Sequence, residues 1–259
     1  MSVVHDYHVH SNYSDGRFLR QMLGAAERAG LDAVGVADHC NVSTRSEPAR
    51  YKRAFGFNLD ITYERRREAL RDLATDFDLN VYDAVEMDYH PTDHDAVASF
   101  LADAEFEYAI GSVHELDGVN VHFEDYFAKQ SAAARREHVT TYFDRLVELI
   151  ESDLFAVAAH VDLVERNSAL RDIATDADYR RVAEAFADSR TVPELNAGRV
   201  LSEYGEVHPT PQFVDVLVDH DVSSVFGTDS HEPDEIGPRK EELEQFVATH
   251  GVMTTALSL

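Results

Sequence analysis

Ala33-Val34-Gly35-Val36-Ala37-Asp38-His39 is a short apolar run that ends in an acid and a histidine. A run of this length, following Gly30, reads as a strand buried on both faces. Six further runs share its character, at residues 3–7, 81–85, 108–113, 154–159, 191–195 and 223–227. Helical patterns lie between and beyond them, near 18–29, 61–77, 94–104, 131–151, 176–188, 211–220 and 240–249. The clearest is 131–151, where Val139, Tyr142, Phe143, Leu146, Val147, Leu149 and Ile150 recur at helical spacing. Strand and helix in alternation predict a parallel sheet. Seven such units favour closure into a barrel over an open sheet of five or six strands.

Length and composition bound the reading. A chain of 259 residues suits one barrel-sized domain or two small ones. It holds no long Gly/Ser/Pro linker, low-complexity tract or fixed-period repeat, so a single domain over 1–259 is expected. A hydrophobic fraction of 44% excludes global disorder. No run of about 18 apolar residues could cross a membrane. The opening Met1-Ser-Val-Val-His-Asp lacks the basic and apolar regions of a signal peptide. Cys40 is alone and cannot form an intramolecular disulfide, which suits a reducing cytoplasm.

Charge is the outlier. Forty-nine acids face 23 bases, a formal net of −26, and only three of the bases are lysine (Lys52, Lys129, Lys240). A chain this acidic repels phosphate backbones and anionic membranes, which disfavours both as general partners. Abundant Asp and Glu with so little Lys is similar to the cytoplasmic proteins of salt-loving microbes, where salt screens the self-repulsion.

The strand ends carry the chemistry. The first run leads into His8-Val9-His10 with Asp15 following, the second into Asp38-His39, the third into Glu86, the fourth into His114 and the fifth into His160. The seventh leads into Asp229-Ser230-His231. In a parallel barrel all strand C-termini share one face, where active sites are built. Nine side chains from six strands would therefore converge: His8, His10, Asp15, His39, Glu86, His114, His160, Asp229 and His231. Nitrogen and carboxylate donors without thiolate suit Zn²⁺, Mn²⁺ or Fe²⁺, and nine donors imply two or three ions. A lone His-x-His pair is weak evidence, since 14 histidines in 259 residues give roughly 0.75 such pairs by chance. The positional coincidence at strand ends carries the weight. The remaining histidines (His5, His90, His94, His122, His138, His208, His220, His250) read as surface or satisfied polar residues, with His90 and His122 the nearest to the predicted ligands. Arg65-Arg66-Arg67 reads as a solvated helix face balanced by acids. Asp38 and Asp162 flank two of the histidines and read either as carboxylates that orient imidazoles or as solvated strand-end acids.

At these residues the sequence resembles the polymerase and histidinol phosphatase (PHP) family of metal-dependent phosphoesterases. The resemblance is carried by His8-Val-His-Ser-Asn-Tyr-Ser-Asp15-Gly, Gly30-Leu-Asp-Ala-Val-Gly-Val-Ala-Asp-His39, Glu86-Met-Asp-Tyr, Ile110-Gly-Ser-Val-His114, His160-Val-Asp-Leu and Gly227-Thr-Asp-Ser-His231, in that order. It implies an α/β fold, a distorted seven-stranded (β/α)7 TIM-like barrel, with a trinuclear site. By resemblance, His8, His10, Glu86 and Asp229 surround one ion. Glu86 bridges to a second, held with His114 and His160, and Asp15, His39 and His231 hold the third.

Within the family the histidinol-phosphatase branch is the nearest likeness. Gly111-Ser-Val-His-Glu-Leu-Asp-Gly118 resembles its fourth motif. His160-Val-Asp-Leu-Val-Glu-Arg166 places an arginine where the branch has a phosphate-binding one. Glu194-Leu-Asn-Ala-Gly-Arg199 and Glu203-Tyr-Gly-Glu-Val-His-Pro209 resemble its sixth segment, with a shorter spacing around Ala197-Gly198. Ala159 stands where the branch commonly has glycine. The resemblance implies hydrolysis of L-histidinol phosphate to L-histidinol and phosphate, a step of histidine biosynthesis.

Elementary chemistry agrees. A phosphate dianion needs local positive charge in a chain of net −26, and metal ions with Arg166 and Arg199 would supply it, Arg through its planar fork. Asp229, His231 or a water could protonate the leaving alkoxide. Glu115 or Asp117 would suit the cationic amine of histidinol. The alternatives are another phosphoesterase of the family acting on nucleotides or other esters, an amidohydrolase, and a non-catalytic metal-binding regulator. A nuclease is disfavoured by the acidic surface. A nucleoside bisphosphate phosphatase usually has an inserted domain, for which residues 40–60 are short. An amidohydrolase often uses a strand-end lysine, and none of the three lysines is at a strand end. A regulator would lack ligands, and all nine are in place.

Overall fold

In the computed structural model, which describes residues 2–55 and 58–259, the seven predicted runs form parallel strands. They are β1 (His5–Val9), β2 (Ala33–Val36), β3 (Asn80–Asp88), β4 (Tyr108–Ser112), β5 (Val157–Ala158), β6 (Val192–Asn196) and β7 (Val225–Gly227). Their order in the sheet follows the chain. Representative register pairs are Val34↔Val81 between β2 and β3, Glu86↔Ile110 between β3 and β4, and Leu195↔Phe226 between β6 and β7. The sheet nearly closes on itself: Asp229 N donates to His8 O at 2.7 Å and His10 N to Ser230 O at 2.9 Å, with a parallel bridge at Val9↔Ser230. The result is the expected barrel of seven parallel strands.

The helices are α1 (Leu19–Arg28), α2 (Ser46–Phe55), α3 (Tyr63–Ala74), α4 (His94–Ala104), α5 (Glu124–Ala128), α6 (Ala132–Glu151), α7 (Asp176–Ala187), α8 (Pro211–Asp219) and α9 (Ile236–His250). Each of the seven predicted helical patterns corresponds to one of them. In α6, Ser131 caps the start by accepting from Ala134 N, and Val139, Tyr142, Phe143, Leu146, Leu149 and Ile150 are buried as the spacing requires. Thr175 and Asp178 form a reciprocal capping box at the start of α7. The sequence reading omitted α2, α5 and a short antiparallel hairpin of Glu115–Leu116 with Val119–Asn120. α2 is a ten-residue helix without Leu, Ile, Val or Met, and α5 is a single turn and a half.

Alternation along the strands sorts the core. On β3, Val85 and Met87 join the large cluster under α6 and α7, while Ala84 packs in a small cluster with Tyr108, Ile110, Val157 and Val225. Glu86, on the same side as Ala84, is thereby directed toward the barrel interior at the strand's C-terminal end.

The arginine trio corrects an expectation. Arg65 is exposed, but Arg66 is fully buried. Its Nη1 donates to Asp38 Oδ2 at 2.9 Å, and its Nη2 donates to Asp83 Oδ1 at 2.7 Å and to the Ala84 carbonyl. Arg67 Nε donates to the other oxygen of Asp83 at 2.6 Å. α3 lies against the sheet, so the acids that balance this segment are strand residues beneath it.

Candidate metal centre

The nine predicted donors gather at the C-terminal end of the barrel in three groups, within each of which the donor atoms lie within 4.8 Å of one another: His10, Asp15, His39 and His231; His8, His10 and Asp229; and Glu86, His114 and His160. His10 belongs to two groups, which adds it to the trio expected around the third ion. His8 and His10 are two apart, on one side of the strand's end. His39 lies in a short strand in register with Glu86. His160 and Asp229 have left-handed backbones, φ 31° and 51°. That conformation is uncommon outside glycine, though Asp and His tolerate it better than most residues, and it turns both side chains at the strand ends.

Glu86 is the hub. Its Oε1 is 3.1 Å from His160 Nε2 and 3.6 Å from His114 Nε2, and its Oε2 is 2.6 Å from His39 Nδ1, 3.4 Å from His8 Nε2 and 3.6 Å from His10 Nε2. Ser112 Oγ donates to Oε1 at 2.6 Å. Elsewhere His10 Nε2 is 3.3 Å from Asp229 Oδ1, and His231 Nε2 is 3.3 Å from Asp15 Oδ1. Burial, then His231 and His39 beside it, push His10 down to about 4. Burial alone would lower His39 too, but Glu86 and Asp15 carry it up to about 10.

These donors fit divalent ions. The Nε2 atoms of His8 and His10 face each other at 3.1 Å. Ligands about 2.1 Å from one ion stand roughly 3.0–3.4 Å apart. One carboxylate facing five imidazoles cannot satisfy them all as hydrogen-bond partners, whereas lone pairs converging from nitrogen and oxygen suit a cation.

A shell of acceptors orients the rings. Glu194 Oε1 is 2.7 Å from His8 Nδ1, and Asp88 Oδ1 is 2.5 Å from His114 Nδ1. Ser14 Oγ is 3.3 Å from His10 Nδ1, and His231 Nδ1 donates to Asp229 O at 3.0 Å. Each contact leaves Nε2 directed at the cluster, the arrangement that fixes imidazole ligands. Sequence reasoning assigned no such task to Glu194 or Asp88. The available signal was an acid amid apolar neighbours in a buried strand. Asp38, left open between two readings, is fully buried, accepts from Ser11 N and Oγ and from Ser14 Oγ at 2.7 Å each, and pairs with Arg66. It braces the loop between His10 and Asp15. Asp162 is also fully buried and holds His208 Nδ1 at 2.5 Å.

A cavity of about 500 Å³ opens over the donors and extends under α2. Arg166, Arg199 and Glu115 line it. So do His90 and His122, the two histidines expected nearest the ligands. Burial and the neighbouring Arg166 hold His122 far below the usual histidine range. Arg166 is no surface residue: its side chain is 7% exposed, Nε donates to His208 Nε2 and Nη2 to Asn196 Oδ1, both at 2.8 Å, and Nη2 is 3.5 Å from Asp229 Oδ2. Glu115 faces the cavity while accepting from Arg45 Nη1 at 2.8 Å. Asp117 is elsewhere, which corrects the expectation that it meets the substrate. Asp117 and Gly118 are the two residues of the hairpin turn, both left-handed, and Asp117 points out beside His138 and Arg145 of α6 at 3.6 and 3.9 Å.

Comparison with known proteins places this geometry. The family model described as the PHP domain matches residues 6–198. A curated protein of Deinococcus radiodurans described as "Probable histidinol-phosphatase" is 25% identical over 223 residues, covering 85% of this chain and 82% of that one. The structure of histidinol phosphate phosphatase from Lactococcus lactis, complexed with zinc, L-histidinol and phosphate, superposes with a TM-score of 0.74 at 18% identity, covering 99% of this chain and 97% of that one. A structure from Listeria monocytogenes gives the same TM-score at 19% identity, covering 90% and 97%.

Proposed function

The chain belongs to the PHP domain family, and from that premise we propose that it is a metal-dependent phosphatase that hydrolyses L-histidinol phosphate to L-histidinol and phosphate. The observation that carries the reading is the buried guanidinium of Arg166 at the wall of a cavity whose floor is the His/Asp/Glu cluster. Permanent cations set beside carboxylates in a chain of net −26 have a purpose if an anionic group binds between them and the donor cluster. The named activities of the Deinococcus and Lactococcus relatives point to the same ester.

His8, His10, Asp15, His39, Glu86, His114, His160, Asp229 and His231 would hold two or three ions, with Zn²⁺, Mn²⁺ and Fe²⁺ the suitable metals. When bound, such ions supply Lewis acidity and lower the pKa of water from 15.7 to about 7. The rest falls to the chain. Arg166, with Arg199 also lining the cavity, grips the phosphoryl oxygens and offsets charge as it builds on them. Glu194, Asp88 and Ser14 hold three imidazoles in place. His10, His8 and His231 keep Asp229 ionised against its burial, so Asp229 accepts rather than donates. The leaving alkoxide then takes its proton from solvent, since His231 as a ligand has its one N–H on the Asp229 carbonyl. Glu115 stays as the acid for the substrate's amine, with Arg45 sharing it.

Residues 1–259 act as one domain on this reading, and the excess of acids over lysine supports a working environment of high salt in the cytoplasm. The test is a phosphoester panel at molar KCl with each metal in turn. L-histidinol phosphate should exceed nucleoside monophosphates and p-nitrophenyl phosphate in kcat/KM by at least tenfold. Equal rates on all three would remove the substrate assignment. Glu86→Ala should lose both turnover and metal equivalents while staying folded, and full metal content in that variant would remove the shared-ligand role.

A further inference from the structure

Arg166 does not aim itself. Two groups hold it, and both come from one pair of residues. Asn196 and His208 bridge in antiparallel fashion, Asn196 N donating to His208 O at 2.8 Å and His208 N to Asn196 O at 2.9 Å. From that bridge the Asn196 side chain accepts from Arg166 Nη2 and the His208 ring accepts from Nε. Among the described residues no hydrogen bond is recorded from Nη1 of Arg166, which leaves that end of the fork to the cavity. We propose that His208 is a positioning residue for phosphate binding: its ring, fixed by Asp162, aims the Arg166 guanidinium.

The chemistry of the three groups dictates the arrangement. Arginine has donors and no acceptor, so His208 Nε2 must present a lone pair. The ring proton then sits on Nδ1 and goes to Asp162 Oδ1, 2.5 Å away. Asp162 Oδ2 accepts from Thr210 N at 2.7 Å, which pins the carboxylate. The ring cannot swing, because Tyr204 stacks on it at 4.8 Å and 5°, and Arg171 covers the other face of Tyr204 at 4.9 Å. His208 is fully buried, and burial with the Arg166 charge keeps its proton affinity below the usual histidine value. A second proton on the ring would set N–H against N–H and release Arg166.

The inference rests on the reading that Arg166 binds phosphate, and the test separates the two. It uses the metal-loaded full chain, its best phosphoester, and inorganic phosphate as inhibitor. A glutamine at 208 can put its carbonyl oxygen where Nε2 stands and serve Arg166. An asparagine can put its amide near Nδ1 and serve only Asp162. His208→Asn should raise KM and the phosphate Ki about tenfold, the size of one hydrogen bond to a charged group. Metal content should not change. His208→Gln should stay within about threefold of wild type. A role confined to structure gives the opposite order, or a common loss that follows thermal stability, and either overturns the proposal. ¹⁵N NMR of the zinc-loaded wild type gives an independent readout should either variant fail to fold. It should find His208 as the neutral Nδ1–H tautomer, and an imidazolium or an Nε2–H tautomer at neutral pH overturns the proposal. Arg166→Ala should weaken phosphate inhibition, and His208→Asn added to it should cost nothing more. If Arg166→Ala leaves phosphate inhibition intact, the phosphate reading falls and the proposal with it. If Arg166→Ala is severe and His208→Asn silent, only the positioning role falls.

Discussion

Glu194 lies directly against His8, Oε1 to Nδ1 at 2.7 Å, with both side chains buried from solvent. The contact depends on bare backbone beneath it. A Cβ on Gly227 would stand 1.8 Å from Glu194 Oε1 and 2.9 Å from the His8 Cβ. The other oxygen of Glu194 accepts from His160 N at 3.1 Å and Asn196 Nδ2 at 2.9 Å, so one carboxylate ties the ends of β1, β5 and β6 together.

Glu194→Ala should therefore weaken metal binding by about 10–100-fold, the usual effect of removing the partner of a ligating imidazole. Gly227→Ala should do the same by displacing the Glu194 carboxylate, with every ionisable residue still present. Titration against a chelator of known affinity checks both. Unchanged affinity in both variants would mean that His8 orients itself.

Arg66 predicts a stability effect remote from the cavity. It is fully buried between Asp38 and Asp83. Removing one partner of such a pair costs about 3–5 kcal/mol because the others are left buried and unpaired. Arg66→Ala should lower the urea midpoint accordingly, whereas Arg65→Ala, on the exposed side of the same helix, should change stability by under about 0.5 kcal/mol.

Glu165 predicts a pH effect. It is 3% exposed, with Oε1 lacking a hydrogen-bond partner among the described residues and Oε2 accepting from Asp172 N. Burial pushes its carboxyl from 4.5 up to about 7, against that hydrogen bond. Between those two values the native chain keeps a proton that the unfolded chain has released, so this group's contribution to stability falls as pH rises through the window. Above about 7 both states are ionised and the full cost is in place. Glu165→Gln cannot ionise. Its stability relative to wild type should be higher at pH 8 than at pH 4.5 by about 3 kcal/mol, at 1.36 kcal/mol per pKa unit. Urea unfolding of both proteins at the two pH values is the measurement, and a difference that does not change with pH would refute the assignment.

Net charge −26 predicts a melting temperature that rises with KCl, because the Debye length shrinks from about 30 Å at 0.01 M to about 3 Å at 1 M. Metal content must be held constant across the series. A flat response would count against salt adaptation.

The strands were legible because most of their residues are buried on both faces, which writes short, largely apolar runs into the sequence. The nine donors were legible because each ends or follows such a run. Arg66 was not, because its partners lie 28 and 17 residues away along the chain and no local periodicity marks a buried guanidinium. Asp117 misled because its neighbour Glu115 does reach the cavity, while the left-handed Asp117-Gly118 turn sends the next acid outward. α2 is short and contains no Leu, Ile, Val or Met, so no aliphatic repeat marks it in the sequence. His208 was passed over as a satisfied polar residue. It is satisfied, and what satisfies it is Arg166.

The seam at Asp229 N and His8 O joins residues 221 positions apart, and that has a consequence for biosynthesis. During translation β1 waits without its second neighbour until β7 has been made, so the two donor groups that contain Asp229 or His231 cannot assemble before then. Contacts this remote in sequence slow folding, because the intervening loop must close before they form. Until then the nascent chain can bring Glu86, His114 and His160 together, but His8, His10, Asp15 and His39 lack the partners that β7 delivers.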